Sequence, residues 1–273
     1  MSVLLEQLQE TVIYIKSQFT NEAKIGIILG SGLGNFSTEI IIEKEIAYSD
    51  IPHFPVSTVQ GHGGKLILGE LAGKKVLVMS GRFHFYEGYN PLQVTYPVRV
   101  MKMLGVDTLL LSNAAGGVHP DFNVGDLMII NDHISFFQIN PLLGPNDDSL
   151  GPRFPDMSEP YSKALINKVL AIASTNNIKV HQGVYTGVTG PTFETRAEYQ
   201  FIKAIGGHAV GMSTVQETIA AVHCGMQVFA MSVITDLGIR EEENIITHEE
   251  VLQAAKEAEP KLTLLFKELI NQL

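Results

Sequence analysis

Cysteine and tryptophan are the scarcest residues of this chain, which has one cysteine, Cys224, and no tryptophan among its 273 residues. A single cysteine cannot form an internal disulfide, and no Cys/His spacing resembles a zinc site. We therefore expect a cytoplasmic protein without a bound metal. No apolar run is long enough to span a bilayer, and the first residues lack the basic start and apolar stretch of a secretory signal.

Basic residues are also few in this chain. It has 19 Lys and Arg against 29 Asp and Glu, which gives a formal net charge of −10. Because the phosphate backbone of nucleic acids is bound by a basic stripe, this balance excludes a nucleic-acid surface. The length permits a large core without metal or disulfide support, so a globular enzyme or a small-ligand binder remains.

Short apolar runs rich in β-branched residues alternate along the chain with segments of helical periodicity. Strands are predicted at 24–29, 75–79, 107–112, 127–131, 183–188, 208–211 and 227–234. Helices are predicted at 3–19, 92–104, 194–205, 215–224 and 248–273. This alternation indicates an α/β protein with a largely parallel or mixed sheet covered on both faces. No linker or repeat divides the chain, so we predict one domain over residues 1–273, and we expect Pro260 to kink or divide the last helix.

One segment, residues 134–160, shows little periodicity and carries five prolines. A stretch of this length without regular structure in a compact domain is usually functional or part of an interface. Its phenylalanines, Phe136, Phe137 and Phe154, would be poorly placed in a solvated loop, so we expect them to pack against a ligand or a neighbouring subunit. The alternative is a mobile surface excursion.

Glycine-rich turns are predicted directly after three strands, where the ligand-binding groups of α/β sheets collect. The first, Gly-Ser-Gly-Leu-Gly at 30–34, brings backbone N–H groups and the Ser31 hydroxyl together. Asn35 breaks a dinucleotide fingerprint at its last position, which leaves a small anion or a plain tight turn. The segment Asn-Ala-Ala-Gly-Gly at 113–117 is a turn of the same kind. The repetition favours one shared anion site.

The turn at 81–88, Gly-Arg-Phe-His-Phe-Tyr-Glu-Gly, adds a row of polar side chains. Arg82 offers a rigid fork of donors suited to phosphate oxygens. In an extended stretch, His84 and Tyr86 would share the face of Arg82. We interpret the row as part of an anion site, although a lone histidine is more often structural.

Residues that could hold a flat ring lie farther along the chain, at 185–195 and 210–214. Phe193 could stack on such a ring while Glu194 accepts hydrogen bonds from ring N–H groups. Glu194 could equally interact with a helix dipole, and Ser213 could be a helix N-cap or a phosphate ligand. Met212 would ordinarily be a core residue.

In this order and spacing the motifs resemble those of the trimeric class of purine nucleoside phosphorylases. The resemblance covers essentially the whole chain and includes Gly-Pro-Thr-Phe-Glu-Thr at 190–195 and Gly-Met-Ser-Thr-Val at 211–215. It implies a homotrimer of single α/β domains, each with a central mixed, distorted sheet flanked by helices. It also implies reversible phosphorolysis of purine (deoxy)ribonucleosides. Phosphate, a co-substrate, attacks C1′ to give the free base and pentose 1-phosphate, and no metal or other cofactor takes part.

The resemblance also implies roles for single residues. Phosphate would be held by Ser31, His62, Arg82, His84, Ser213 and the backbone N–H of Ala114. The ribose would contact Tyr86, Met212 and His248, the last through its 5′-hydroxyl. The base would be held by Phe193, Glu194 and Asp236, and the catalytic residues would be His84, Glu194 and Asp236. Phe154 would reach into the site of a neighbouring subunit.

One position departs from the usual pattern of that family. Members that prefer 6-oxopurines usually carry Asn where this chain has Asp236. Asparagine can donate to purine N7 or O6, whereas an ionised Asp can only accept. Either Asp236 accepts from a 6-amino group, which makes adenosine a substrate, or burial keeps it protonated so that it donates to N7.

Three other functions compete with this interpretation. A related branch that cleaves 5′-methylthioadenosine also has Asp at this position, but His248 favours a 5′-hydroxyl over a thioether. A nucleoside-binding protein without catalysis would not need the predicted phosphate ligands. A dinucleotide-dependent oxidoreductase is disfavoured by Asn35.

Overall fold

A mixed β-sheet forms the centre of the structure, a computed structural model that describes residues 2–20, 22–56, 63–239 and 247–273. Within these residues the strands are β1 (Ile25–Ile28), β2 (Ile41–Ala47), β3 (Lys65–Leu71), β4 (Lys74–Ser80), β5 (Thr108–Gly117), β6 (Leu127–Ile134), β7 (Val180–Gly187), β8 (Ala209–Gly211) and β9 (Gln227–Leu237). The α-helices are α1 (Val3–Gln18), α2 (Pro91–Met103), α3 (Lys163–Thr175), α4 (Arg196–Ala204), α5 (Val215–His223) and α6 (His248–Asn271).

The strand order is β2-β3-β4-β1-β5-β8-β7-β6-β9, and β9 pairs with β5 as well. Five pairs are parallel: β1–β4, β1–β5, β5–β9, β6–β7 and β7–β8. The β2–β3, β3–β4, β5–β8 and β6–β9 pairs are antiparallel. Because β5 contacts both β8 and β9, that half of the sheet closes on itself. The predicted α/β fold with a mixed, distorted sheet flanked by helices is confirmed.

The central strands are buried along nearly their whole length because helices cover both faces of the sheet. All four residues of β1 are buried, and so are nearly all residues of β9. Helix α6 packs on β9 through Phe266, whose ring lies edge-on to Phe229 with centroids 5.8 Å apart. Within the described residues no helix is both long and apolar enough to cross a membrane.

Two expectations about regular structure are wrong. Residues 113–117 form no turn, because β5 continues to Gly117 in register with β9, with one shift between Ala115 and Gly116. Pro260 does not divide the last helix, since α6 runs from His248 to Asn271. The helix presents a buried apolar face on both sides of the proline, so packing outweighs the loss of one backbone hydrogen bond.

The long segment predicted to lack periodicity has neither helix nor strand between β6 and α3. Phe137 in this segment packs against Phe201 of the same chain, with ring centroids 6.1 Å apart. Phe136 and Phe154 are instead exposed, at 86% and 88%. Their packing against a ligand or a neighbouring subunit stays a prediction.

Three helices begin with the sequence pattern Thr-x-x-Glu, in which the Thr is the N-cap and the Glu accepts from its backbone N–H. In α4, Thr195 N donates to Glu198 at 2.7 Å, and in α6, Thr247 N donates to Glu250 at 3.2 Å. In α5, Thr214 N donates to Glu217 at 3.0 Å. These three caps place the residue beside each helix start, Glu194, Ser213 or His248, at the same edge of the sheet.

Candidate active site

A cleft lies beyond the carboxyl ends of the parallel strands β1 and β4, beside residues 113–116 of β5, and takes in the carboxyl ends of β8 and β9. This is the edge at which ligands bind in open α/β sheets. It gathers eleven of the predicted site residues, namely Ser31, Arg82, His84, Tyr86, Ala114, Phe193, Glu194, Met212, Ser213, Asp236 and His248. His62 lies outside the described residues. Phe154 lies away from the cleft of its own chain, on the long segment between β6 and α3.

Arg82 is the buried cation of the cleft, and its side chain is 2% exposed. Its Nε and Nη2 groups donate to the two carboxylate oxygens of Glu217 at 3.0 Å each. Its Nη1 donates to the carbonyl of Ser112 at 2.6 Å. These three bonds fix the plane of the guanidinium, which otherwise could rotate about its long side chain.

The turn that leads into α5 is held by the same carboxylate. Glu217 accepts from Thr214 N as well as from Arg82, so one side chain links the helix start to the buried cation. Thr214 has a φ of 71°, a left-handed conformation that non-glycine residues rarely adopt. Asn113 on β5 donates to the Thr214 hydroxyl at 2.9 Å and supports this strained residue. The turn holds Ser213 at the wall of the cleft.

His84 is held by a neighbouring carboxylate. Glu87 Oε1 lies 3.1 Å from His84 Nδ1 and also accepts from His84 N at 2.8 Å. A carboxylate only accepts, so Nδ1 carries the proton and Nε2 is the acceptor of the neutral ring. Burial lowers the pKa of His84, and this exceeds the opposing effect of the Glu87 hydrogen bond. The neutral ring therefore predominates at pH 7.

Backbone groups complete this end of the cleft. A Cβ on Gly30 would lie 2.7 Å from Asn113 Cα, so only glycine lets the turn after β1 approach β5 so closely. β1 pairs with β5 as far as Leu111, and β8 joins β5 at Gly116. The stretch between them, which includes Ala114, lines the cleft.

Tyr86, Met212 and His248 also line the cleft. The predicted extended row from Arg82 to Tyr86 is wrong at Tyr86, because Phe85–Glu87 is a turn of 3₁₀ helix. The Tyr86 ring nevertheless stacks on His84, with centroids 4.6 Å apart, and burial raises its pKa to about 12. Its hydroxyl therefore stays a hydrogen-bond donor at neutral pH. His248 is the exposed first residue of α6.

Two carboxyl groups, Glu194 and Asp236, lie at the far end of the cleft. The hydroxyl of Tyr199 donates to Asp236 Oδ2 at 3.4 Å, and Thr235 Oγ1 donates to Asp236 Oδ1 at 3.2 Å. Burial raises the pKa of Glu194, and the negative charge of Asp236 adds to the shift. Gly116 lies against Asp236, and a Cβ there would be 2.9 Å from Oδ2.

Four residues of the site were not predicted from the sequence: Glu217, Glu87, Asn113 and Tyr199. The capping pattern Thr-x-x-Glu marks Glu217 as a helix-start residue, but no local pattern shows that it meets Arg82 135 residues away. Glu87 stands three residues after His84 in the 81–88 motif, a spacing that could have suggested the pair. Nothing in the sequence singles out Asn113 or Tyr199.

Arg82 bonds to β5 at Ser112 and Asp236 lies against Gly116, so a cationic, N–H-rich end and an acidic end meet β5 four residues apart. The first end suits a small anion, and the second suits a ring with N–H and amino groups. A transfer reaction between an anion and a ring-bearing substrate needs this separation, because the anion and the carboxylates would repel each other in one pocket.

Comparisons with known proteins agree with this geometry. The family model of the phosphorylase superfamily matches residues 24–271. Purine nucleoside phosphorylase 1 of Bacillus subtilis is 48% identical over 267 residues, which cover 98% of this chain and 98% of that protein.

Solved structures of similar proteins also match. The purine nucleoside phosphorylase isoform 2 of Schistosoma mansoni, in complex with cytosine and ribose-1-phosphate, gives a TM-score of 0.92 at 44% identity and covers 98% of this chain and 96% of that chain. A Schistosoma mansoni purine nucleoside phosphorylase in complex with adenosine gives 0.91 at 40% identity and covers 98% of both chains.

Proposed function

The chain belongs to the phosphorylase superfamily and, within it, to the purine nucleoside phosphorylases, and from that membership we propose how its cleft divides the reaction. The enzyme transfers the pentosyl group of a purine nucleoside to phosphate and releases the free base, reversibly. The observation that supports our assignment is that one cleft is lined by Arg82 and Ser213 as well as by Glu194 and Asp236.

At the cationic end, phosphate is bound by Arg82, by the hydroxyls of Ser31 and Ser213 and by the Ala114 N–H. Neutral His84 accepts a hydrogen bond at Nε2 from the protonated oxygen of HPO₄²⁻. Glu217 fixes the guanidinium plane, so the phosphate is positioned before the bond to C1′ forms. His62 is assigned here by family resemblance alone.

The ribose lies in the middle of the cleft, against Tyr86, Met212 and His248. A phosphate oxygen forms the new bond to C1′ while the C1′–N9 bond breaks and its electron pair moves to the purine. The transition state carries positive charge on the ribose and negative charge on the base. His248 donates to or accepts from the 5′-hydroxyl, which favours ordinary nucleosides over 5′-methylthioadenosine.

At the acidic end, the two carboxyls hold one proton between them, because two ionised carboxylates around one phenol repel each other. With a 6-oxopurine, ionised Glu194 accepts from N1–H and protonated Asp236 donates to the base. With adenosine the proton moves: Glu194 donates to N1 and ionised Asp236 accepts from the 6-amino group. Both classes are therefore substrates, and the adenosine complex of a relative supports this view.

The substitution Asp236→Asn tests whether Asp236 recognises the purine base through these hydrogen bonds. Asparagine supplies the donor for a 6-oxopurine without a proton, so we expect the adenosine-to-inosine ratio of kcat/KM to fall at least about tenfold. Steady-state kinetics at saturating phosphate measures the ratio. An unchanged ratio would show that Asp236 does not read the base.

The reaction itself is tested by phosphate dependence. Inosine, adenosine, guanosine and 5′-methylthioadenosine are each incubated with the enzyme, with and without phosphate, and free base is measured. We expect base from the first three only with phosphate, and little from 5′-methylthioadenosine. Base without phosphate would indicate a hydrolase, and no base at all would indicate a binding protein.

The assembly is part of the proposal. Phe154 is 88% exposed, and the Arg153 guanidinium lies 5.8 Å from its ring centroid. We assign it to the cleft of a neighbouring subunit in a homotrimer, in line with the family resemblance. The cytoplasmic location stays a prediction from the single cysteine.

A further inference from the structure

The hydroxyl of Tyr199 lies between the two carboxyl groups that hold the base. It donates to Asp236 Oδ2 at 3.4 Å and faces the Glu194 carboxyl, with which it also forms a hydrogen bond. The residue is 3% exposed, yet it lines the cleft. The hydroxyl is therefore the polar end of a buried side chain, within reach of the base-binding groups.

The ring of Tyr199 has little freedom to move the hydroxyl elsewhere. A Cβ on Gly238 would overlap this ring, so the backbone after β9 lies directly against it. On the other side, the ring packs in a small apolar cluster with Val118, Ile202 and Val210. Phenylalanine would fill the same space, so only the hydroxyl distinguishes tyrosine at this position.

A phenol has one proton to donate, and two carboxyls compete for it. Burial and the charges of Asp236 and Glu194 raise the pKa of Tyr199, so the hydroxyl keeps its proton. Because that proton points to Asp236 Oδ2, it stabilises Asp236 in its ionised form. The hydrogen bond from Tyr199 also lowers the pKa of Glu194, but burial outweighs it and the net shift is upward, so the proton that the two carboxyls share is directed toward Glu194.

We propose that Tyr199 is a positioning residue that sets substrate specificity: its hydroxyl keeps Asp236 ionised as the acceptor for a 6-amino group and leaves Glu194 as the proton donor to N1. The proposal rests on the proposed function, in which Asp236 recognises the purine base. It makes the acceptance of adenosine a property of Asp236 and Tyr199 together.

The test compares Tyr199→Phe, Asp236→Asn, the double variant and the control Tyr161→Phe, each in the full chain. Tyr161 is a buried tyrosine whose hydroxyl lies 3.0 Å from His133 Nδ1, away from the cleft. For each variant, kcat and KM are measured with inosine and adenosine at saturating phosphate from pH 6 to 9, together with the melting temperature. The titratable groups that line the cleft are Arg82, His84, Tyr86, Glu194, Tyr199, Asp236 and His248, and the charge of Glu198 also acts on Glu194.

We expect Tyr199→Phe to lower the adenosine-to-inosine ratio of kcat/KM about five- to tenfold, the effect of one hydrogen bond of ordinary strength, since the contact to Asp236 is long at 3.4 Å. The alkaline fall of kcat/KM for adenosine should move to higher pH, because the ionised carboxyl has lost a donor. In the Asp236→Asn background the same substitution should change the ratio less than about twofold. Tyr161→Phe should change neither the ratio nor the pH profile.

The inference about Tyr199 alone would be overturned if Tyr199→Phe lost activity equally with both nucleosides and kept its pH profile while Asp236→Asn shifted the ratio. An unchanged ratio in Asp236→Asn would instead overturn the base reading on which it rests. A Tyr199→Phe effect that persists in the double variant would show that Tyr199 does not act through Asp236.

Discussion

Glu217→Ala is expected to lower the free energy of unfolding by about 3–5 kcal/mol, the usual cost of leaving one member of a buried ion pair without its partner. Arg82 and Glu217 are 2% and 3% exposed, so water cannot replace the lost carboxylate. The guanidinium also loses two of the three bonds that fix its plane, so we expect kcat/KM for phosphate to fall about 100-fold, roughly 2.7 kcal/mol. Urea denaturation and steady-state kinetics at saturating inosine measure the two effects.

Glu259→Gln is the matched control for this prediction. Glu259 is a buried glutamate of α6 that accepts from Phe36 N at 2.8 Å and does not line the cleft. Its substitution should cost some stability and leave kcat/KM for phosphate unchanged. If Glu217→Ala binds phosphate like the unsubstituted enzyme, or if both variants lose the same fraction of activity, Glu217 does not position Arg82.

The cleft was predictable from sequence wherever a residue sits beside a strand end or a helix start. Ser31 and Arg82 each follow a short apolar run that forms one of the parallel strands β1 and β4, and parallel topology brings such ends together. Ser213 also follows a short apolar run, but that strand, β8, is antiparallel to β5. Glu194 and His248 stand at helix starts that the Thr-x-x-Glu pattern marks. These local signals place a residue at an edge of the sheet, and the candidate active site lies at that edge.

The remaining features depend on contacts between distant parts of the chain. From the sequence, Tyr199 is indistinguishable from an ordinary helix residue. Its contact with Asp236 at the end of β9 requires that Gly238 has no side chain, and no local pattern shows this. Residues 113–117 read as a turn because alanine and glycine are weak strand formers, and only the partner β9 makes them a strand. Pro260 was misjudged for a related reason, since tertiary packing decides whether a helix continues.

Substitution of Glu194 and substitution of Asp236 are expected to shift the adenosine-to-inosine ratio of kcat/KM in opposite directions. The reason lies in the chemistry of the purine. The N1 of a 6-oxopurine carries a hydrogen, whereas the N1 of adenosine is an acceptor. If Glu194 contacts N1 as we propose, it must be ionised for inosine and protonated for adenosine. Burial and the charge of Asp236 both raise the pKa of Glu194, so the protonated form extends to higher pH than in an ordinary glutamate. As pH rises through this raised pKa, Glu194 loses the proton that adenosine needs, and kcat/KM for adenosine should fall.

Glu194→Gln should therefore affect the two nucleosides unequally. We expect kcat/KM for inosine to fall about 100-fold, about 2.7 kcal/mol, because a neutral amide replaces a charge-assisted acceptor. The loss with adenosine should stay below about tenfold, because the amide NH₂ can donate to N1 as the protonated carboxyl does. The alkaline fall with adenosine should disappear, since the amide does not titrate. The adenosine-to-inosine ratio would then rise, opposite in sign to the effect of Asp236→Asn.

The control for this prediction is Glu198→Gln, four residues along the chain, where the side chain caps α4 and is exposed. It should lower stability slightly and leave the ratio nearly unchanged. The alkaline fall should persist and move slightly to lower pH, because the charge of Glu198 contributes to the raised pKa of Glu194. Equal losses with both nucleosides in Glu194→Gln, or an alkaline fall that persists with adenosine, would place the proton donor to N1 on another group. The opposite shifts of Glu194→Gln and Asp236→Asn together would show that one proton, divided between two carboxyls, decides which purine the enzyme accepts.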